Sequence, residues 1–409
     1  MELERQNPHW EDGYFYPYEK KRFPFTNIQK SFGSGLITAL YGLRRVGKSV
    51  LMKQLINEVL RNGTKRTDIL YFSFDEETAD FWEVIREYER KTGKQVSASN
   101  SVFIDEVQKI KDWRGKLKLL YDTSSARIVV SGSNSSLLRK GIESLAGRIN
   151  EFFVPELSFK EFLYFRDKTS LFDSILEEKL ENEFHEFIKR PFPEIAIKKD
   201  LDAKAYVDTI SKKVIYEDLP SVFPIDEPQL LFRLFSIVCK NPGMTVDYQN
   251  LASDLGRNRH TISAYFDYLR YGFLLRRVFN YSGNQLTSEK KLKKFYPSVA
   301  CFAEAEIPRT IETVVAQTLK PRFFWNMKNR FEVDFVFHTP LFGWEVKYKD
   351  AISKEDTKGL AQFKKTWPNA TTILVSKKKE KEFVPYYRLE QFLEQKDIKH
   401  EIRLEDLLL

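Results

Sequence analysis

The stretch "LITALYGLRRVGKSVLMKQLINEVL", residues 36–60, leaves the chain few choices of fold. It opens with an apolar, β-prone run and closes with apolar residues at helical spacing. Between the two lies G-x-x-x-x-G-K-S, residues 42–49. Gly42 and Gly47 let backbone N–H groups wrap around phosphates, and the helix start adds its partial positive charge. Lys48 has the reach for the β- and γ-phosphates of ATP. Ser49, followed by Val50 in the first helical turn, suits a phosphate-bound Mg²⁺.

Three more β-rich runs follow, "ILYFSF" (69–74), "SVFID" (101–105) and "RIVVSGS" (127–133), with helical patterns between them. Strands that are apolar almost throughout, joined by helical crossovers, predict an α/β fold whose parallel sheet is covered on both faces. The third run ends in Asp105 and Glu106. Asp105 is the candidate to hold Mg²⁺ through water, and Glu106 to orient or deprotonate an attacking water. The fourth run places Ser133 or Asn134 beside a γ-phosphate. Arg148, in "LAGR", either stabilises transition-state charge in its own or a neighbouring subunit, or serves an ordinary ion pair.

From 156 to 240 the pattern is helical and is interrupted by Pro191 and Pro193. Residues 244–282 read as helix, tight turn at Gly256, helix and short strand. Arg257, Arg259 and His260 cluster at the start of the second helix, where a recognition helix meets a major groove. Ile262, Tyr265, Phe266 and Leu269 recur at three and four and face inward. Arg276 and Arg277 are placed on a following wing. The same topology also serves protein packing without DNA contact. Lys-rich "SEKKLKKFYP" (288–297) reads as a charged connection.

The hairpin "RFEVDFVF…GWEVKYK" is the second chemical signal. A four-residue loop, His338–Leu341, pairs Phe337 with Phe342, Asp334 with Glu345 and Glu332 with Lys347. Those four charged residues then share one face, and Val333, Phe335, Phe337, Trp344, Val346 and Tyr348 share the other. Like charges directly opposite destabilise a hairpin. A divalent cation between Asp334 and Glu345 removes that conflict, with Lys347 stabilising charge beside it. Glu312, on the amphipathic stretch 309–319, is in reach of the same Mg²⁺ or Mn²⁺.

The run from "YGLRRVGKS" through "VFIDEVQKI", "VVSGSNSSLL" and "LAGR…VPELSFKEFL" resembles AAA-superfamily ATPases of archaea and bacteria. More narrowly, it resembles those that end in the domain of unknown function numbered 4143. The D…E-x-K hairpin with its upstream helix is similar to PD-(D/E)xK nucleases, including Holliday-junction resolvases. The resemblance implies a P-loop ATPase core (1–155), a helical lid or linker (156–240), a winged-helix module (241–285) and a restriction-endonuclease-like α/β domain (286–409). It also implies DNA, including branched DNA, as partner, and homo-oligomers. "KRPFPE" (189–194) departs from the Gly-Gly-Phe-Pro-Glu-type turn of such proteins. A pI near 9.0 permits a polyanionic partner. Two distant cysteines, no secretory h-region and no long apolar span lead to the expectation of a cytoplasmic protein without a membrane segment.

Overall fold

Every β-rich run read between residues 36 and 133 becomes a strand. In the computed structural model of the protein, β1 spans Ile37–Tyr41, β2 Ile69–Ser73, β3 Ser101–Asp105 and β4 Arg127–Gly132. The described residues are 3–76, 79–133, 145, 147–282, 293–327, 330–377 and 383–398. A fifth strand, β5 (Ile149–Phe153), completes a sheet of order β2-β3-β4-β1-β5, with every pairing parallel. β1, β2 and β3 are buried along their whole length, whereas β5, at the edge, is half-buried. That difference explains why "INEFF" carries a weaker sequence signal than the other four.

The opposite edge, β2, is closed by side chains. Asn7 accepts from the Tyr71 N–H at 2.7 Å and donates to the Tyr71 carbonyl at 2.9 Å, as a neighbouring strand would. Gln6 Oε1 accepts from the Ser73 N–H at 2.7 Å, and Trp10 Nε1 donates to the Ile69 carbonyl at 2.8 Å. Backbone groups on an exposed edge invite pairing with another chain, and these contacts occupy them. His9 lies fully buried beside them. Its Nε2 is 3.2 Å from the Ile69 carbonyl, which only accepts, so Nε2 carries the proton and Nδ1 accepts from the Tyr16 hydroxyl at 3.0 Å.

This compact unit comprises residues 1–156 together with 217–224. The other unit comprises 157–216 and 225–409. The stretches read from sequence as lid, middle module and C-terminal domain thus fold largely as one unit, because the latter two share a sheet and the helices of the first pack into the apolar cluster on it. The order of the sheet is β13-β12-β11-β10-β9-β7-β8-β6. The strands are β6 (Met244–Val246), β7 (Leu275–Asn280), β8 (Lys293–Pro297), β9 (Phe323–Met327), β10 (Phe331–His338), β11 (Leu341–Lys347), β12 (Thr371–Ser376) and β13 (Phe383–Pro385). Helices Tyr248–Leu255 and Arg259–Tyr271 form the helix-turn-helix, with Gly256 left-handed at the turn and Asn258 capping the second helix. Ile262, Tyr265, Phe266 and Leu269 are buried as their spacing requires.

Burial pushes the His9 imidazole down to about 4. The depressed pKa means that the unfolded chain binds the extra proton first. The contribution is complete above the ordinary histidine range near 6.5 and is lost as pH falls toward 4. Stability of the N-terminal unit falls by about 2 kcal/mol between pH 7 and pH 5 through this group alone. Denaturant unfolding of wild type and His9→Gln at both pH values checks it, since the variant loses that slope.

Candidate functional site

β1 delivers the chain into the P-loop with no room for a side chain at its first glycine. Gly42 has φ +150°, and a Cβ there would lie 2.2 Å from the Val154 carbonyl oxygen, just past β5. Gly47, at φ +99°, starts helix Lys48–Arg61, which has no side-chain cap. The first amide groups of that helix are therefore left for an anion. Lys48 is buried, its Nζ folded onto the carbonyls of Gly42 at 2.9 Å and Leu43 at 3.1 Å. Burial lowers its pKa, opposed by the charges of Glu106 and Asp105.

β3 ends on the acidic pair. Asp105 accepts from the Tyr71 hydroxyl at 2.9 Å and from the Ser131 hydroxyl on β4. Glu106 takes a left-handed backbone, φ +56°, a strained conformation for a glutamate. Its N–H donates to Ser131 Oγ at 3.2 Å, and its carboxylate accepts from Gln108. Burial raises the Glu106 pKa and Asp105 raises it further, while Lys48 works the other way. Lys48, Asp105 and Glu106 thus share one electrostatic field.

Sequence reasoning names Ser133 here but misses Arg44, Gln108 and Asp218. Arg44, inside the P-loop, makes a forked ion pair with Asp218, and Ser133 and Gln108 connect that pair to Glu106. Asp218 is 174 residues from Arg44, so no local pattern announces it. Asn134 lies outside the described residues. Arg148, immediately before β5, pairs with Asp122 at 2.9 Å, the ion-pair alternative read from sequence.

In the second unit the hairpin keeps the expected Phe337–Phe342 register, but the turn is two residues, Thr339–Pro340, because His338 pairs with Leu341. A bulge between Val333 and Val336, where β10 meets β9, changes the faces. Val333 joins Val336 and Trp325 in one apolar cluster, while Phe335, Trp344 and Val346 pack in another. An alternation argument cannot anticipate that inserted step. The expected Glu332–Lys347 pair is also replaced. Glu332 pairs with Lys294, and Lys347 with Glu345 at 2.5 Å. Lys294 comes from β8, which is a buried strand and not a charged connection.

Asp334 is buried and accepts from the Val346 N–H at 2.8 Å. Glu312, on helix Ile307–Leu319, accepts from the Tyr296 hydroxyl at 2.6 Å. Burial pushes the Glu345 carboxyl up to about 9, with the Asp334 charge adding to the effect. Burial and Asp334 together raise Glu312 to about 7. Glu345 Oε2 is buried without a hydrogen-bond partner. Among the described residues, no group of three or more His, Cys, Asp or Glu side chains is gathered tightly enough to hold a metal ion. The three carboxylates expected to share one are each tied to another neighbour.

Arg257, Arg259 and His260 are exposed, as a groove-reading role needs. Arg257, however, forks onto Glu227, with contacts of 2.9 and 2.7 Å. Arg277 lies within β7, paired with Asp267, and not on a projecting wing. No helix among the described residues is long and apolar enough to cross a membrane.

Residues 34–163 match an AAA domain, so the segment that carries the P-loop, Asp105 and Glu106 is an AAA-type P-loop ATPase domain. Residues 191–298 match a domain of unknown function (DUF8612), and not the one numbered 4143 that the resemblance names. An uncharacterised protein of Haemophilus influenzae is 27% identical over 260 residues, which are 60% of this chain and 62% of that protein. The uncharacterised protein MJ1637 of Methanocaldococcus jannaschii is 25% identical over 316 residues, 69% of this chain and 66% of its own length. The chain thus spans less than two thirds of the curated relatives it matches. A RuvB variant of Thermotoga maritima shows a weak structural likeness, with TM-score 0.34 and 18% identity over 62% of this chain and 89% of that one.

The tight approach at Gly42 is testable by stability. Gly42→Ala is expected to cost at least about 2 kcal/mol, because backbone must move. Gly35→Ala has positive φ but open space around it, and is expected to cost roughly 1 kcal/mol. Denaturant melts that give equal losses would contradict the packing described.

Proposed function

We propose that the chain is an ATP-hydrolysing AAA-type ATPase that acts on DNA, with a C-terminal divalent-metal-dependent nuclease-like domain. The observation that carries the ATPase part is the uncapped start of helix Lys48–Arg61, with Lys48 in the field of Asp105 and Glu106. The amides of Lys48, Ser49 and Val50, with Gly42 and Gly47, would bind the phosphates. Ser49 and Asp105 would hold Mg²⁺, which supplies charge neutralisation there. Glu106, whose pKa burial raises, would take a proton from water. Arg148 on its exposed surface is available to a neighbouring subunit if Asp122 releases it.

For the second site, charge balance is the support. Glu312, Glu332, Asp334 and Glu345 face Lys294 and Lys347, a net charge of −2 if all six ionise. A single divalent cation would balance it, and Glu345 Oε2 has a lone pair to offer. Mg²⁺ commonly takes only one or two carboxylates and completes its shell with water and phosphate oxygens, so a three-donor cage is not required. Asp334 and Glu345 are the proposed ligands, Glu312 lies further back on Tyr296, and Lys347 is the proposed electrostatic group. Arg259 and His260, with the winged-helix reading of residues 241–285, supply the proposed DNA contact, and the cytoplasm is the proposed compartment.

The second reading is a regulatory ATP switch whose C-terminal domain binds nucleic acid or protein without cutting it. Its support is that each carboxylate of the acidic cluster already has a neighbour of its own. Cleavage of labelled linear, single-stranded and four-way-junction DNA with Mg²⁺ or Mn²⁺ separates the two readings. Wild type with ATP is expected to cut, Asp334→Ala and Lys347→Ala to lose at least a hundredfold in rate, and Glu106→Gln to lose the response to ATP. No cleavage by wild type on any substrate would favour the switch.

A further inference from the structure

The P-loop arginine does not point at random into the solvent. Arg44 Nε donates to Asp218 Oδ2 at 2.6 Å, and Nη2 to Oδ1 at 2.7 Å, the parallel two-bond geometry of a strong guanidinium–carboxylate pair. Asp75 stands 3.7 Å from the same guanidinium. Asp218 is 5% exposed. Its Oδ2 also accepts from Ser133 Oγ at 3.4 Å, and Ser133 accepts from Gln108 Nε2 at 2.9 Å. Gln108 Nε2 donates in turn to Glu106. An unbroken line of hydrogen bonds therefore joins the P-loop to the proposed catalytic carboxylate through Asp218.

The place of Asp218 in the chain gives that line a further consequence. Residues 217–224 pack with the N-terminal unit, while the chain before and after them belongs to the other unit. The segment is short and internally bonded, with Phe223 N–H donating to the Leu219 carbonyl and Ser221 Oγ to the Asp218 carbonyl. It begins at the end of a π-helical turn, Val214–Asp218, a geometry often found at functional positions. Helices Ala203–Lys213 and Pro228–Lys240 flank it in sequence.

We propose that Asp218 is a positioning residue that holds Arg44 until a nucleotide polyphosphate takes it, so that segment 217–224 reports nucleotide occupancy to the helices on either side. The inference rests on the nucleotide-site reading above. A guanidinium forks onto phosphate as readily as onto carboxylate, and a polyphosphate carries several charges against the single charge of Asp218. Loss of Arg44 leaves Asp218 buried without its ion partner, which is costly, so the segment must rearrange or admit water. Movement of Asp218 with the segment also takes away the acceptor of Ser133 Oγ, the next link in the line that ends on Glu106.

The test combines nucleotide titration with hydrogen exchange on the full chain. The probe is a fluorescent, non-hydrolysable ATP analogue, with Lys48→Ala as the control for the nucleotide site. Asp218→Asn keeps the side-chain shape and removes its claim on Arg44, and is expected to bind the probe about tenfold more tightly. Asp218→Glu is expected to return affinity toward wild type, and Arg44→Gln/Asp218→Asn to match Arg44→Gln alone. In wild type, amides of 217–224 are expected to exchange at least severalfold faster with the probe bound. A merely structural Asp218 predicts weaker binding in Asp218→Asn and no recovery of wild-type affinity by Asp218→Glu. Probe binding with unchanged exchange at 217–224 overturns the proposal while leaving the nucleotide site standing. Absence of probe binding in wild type overturns both.

Discussion

The nucleotide site depends on the contact between residue 42 and the backbone of Val154. Because residue 42 has no side chain, the strand that carries the P-loop can lie against the end of β5. β5 pairs with β1 along its whole length, from Ile37–Ile149 to Tyr41–Phe153. That pairing fixes where the loop leaves the sheet, and hence where helix Lys48–Arg61 starts. β4 lies on the other side of β1 and carries Ser131, whose hydroxyl and lone pairs serve both Asp105 and the Glu106 backbone. The acidic pair and the uncapped start of helix Lys48–Arg61 are thus both positioned by strands of one sheet.

The two clusters of buried charge are balanced differently. At the P-loop, Asp105 has two hydroxyl donors and Asp218 has a guanidinium, so negative charge is matched by built-in partners. In the second unit, three carboxylates of the sheet and one of a helix meet two ammonium groups, and burial raises the pKa of Glu345 and Glu312. Burying an unpaired charge costs several kcal/mol, which no small domain can carry many times over. A cluster with that imbalance has a standing demand for positive charge, whether the source is a cation or a basic partner.

Much of the first unit was legible because its signals are local. β1 to β4 are short apolar runs, and the P-loop states its chemistry in eight consecutive residues. β5 was not, since Asn150 and Glu151 dilute its apolar pattern and only pairing with β1 makes it a strand. In the second unit the Phe337–Phe342 register was readable from alternation, whereas the bulge that turns Val333 to the other face was not. Lys294 looked like one of a run of surface lysines, and only the packing of β8 beside β7 buries it against Glu332. The Arg44–Asp218 pair is a property of tertiary structure alone. Local patterns carried the elements, and partners far apart in sequence carried the electrostatics.

The most direct test of the central claim is phosphate release from ATP by the purified chain, measured in parallel with Lys48→Ala, with and without Mg²⁺. Mg²⁺-dependent release by wild type that falls at least a hundredfold in Lys48→Ala is the predicted result. Release that is equal in the two proteins, or absent from wild type with and without DNA, would contradict the assignment of this P-loop as a hydrolytic site.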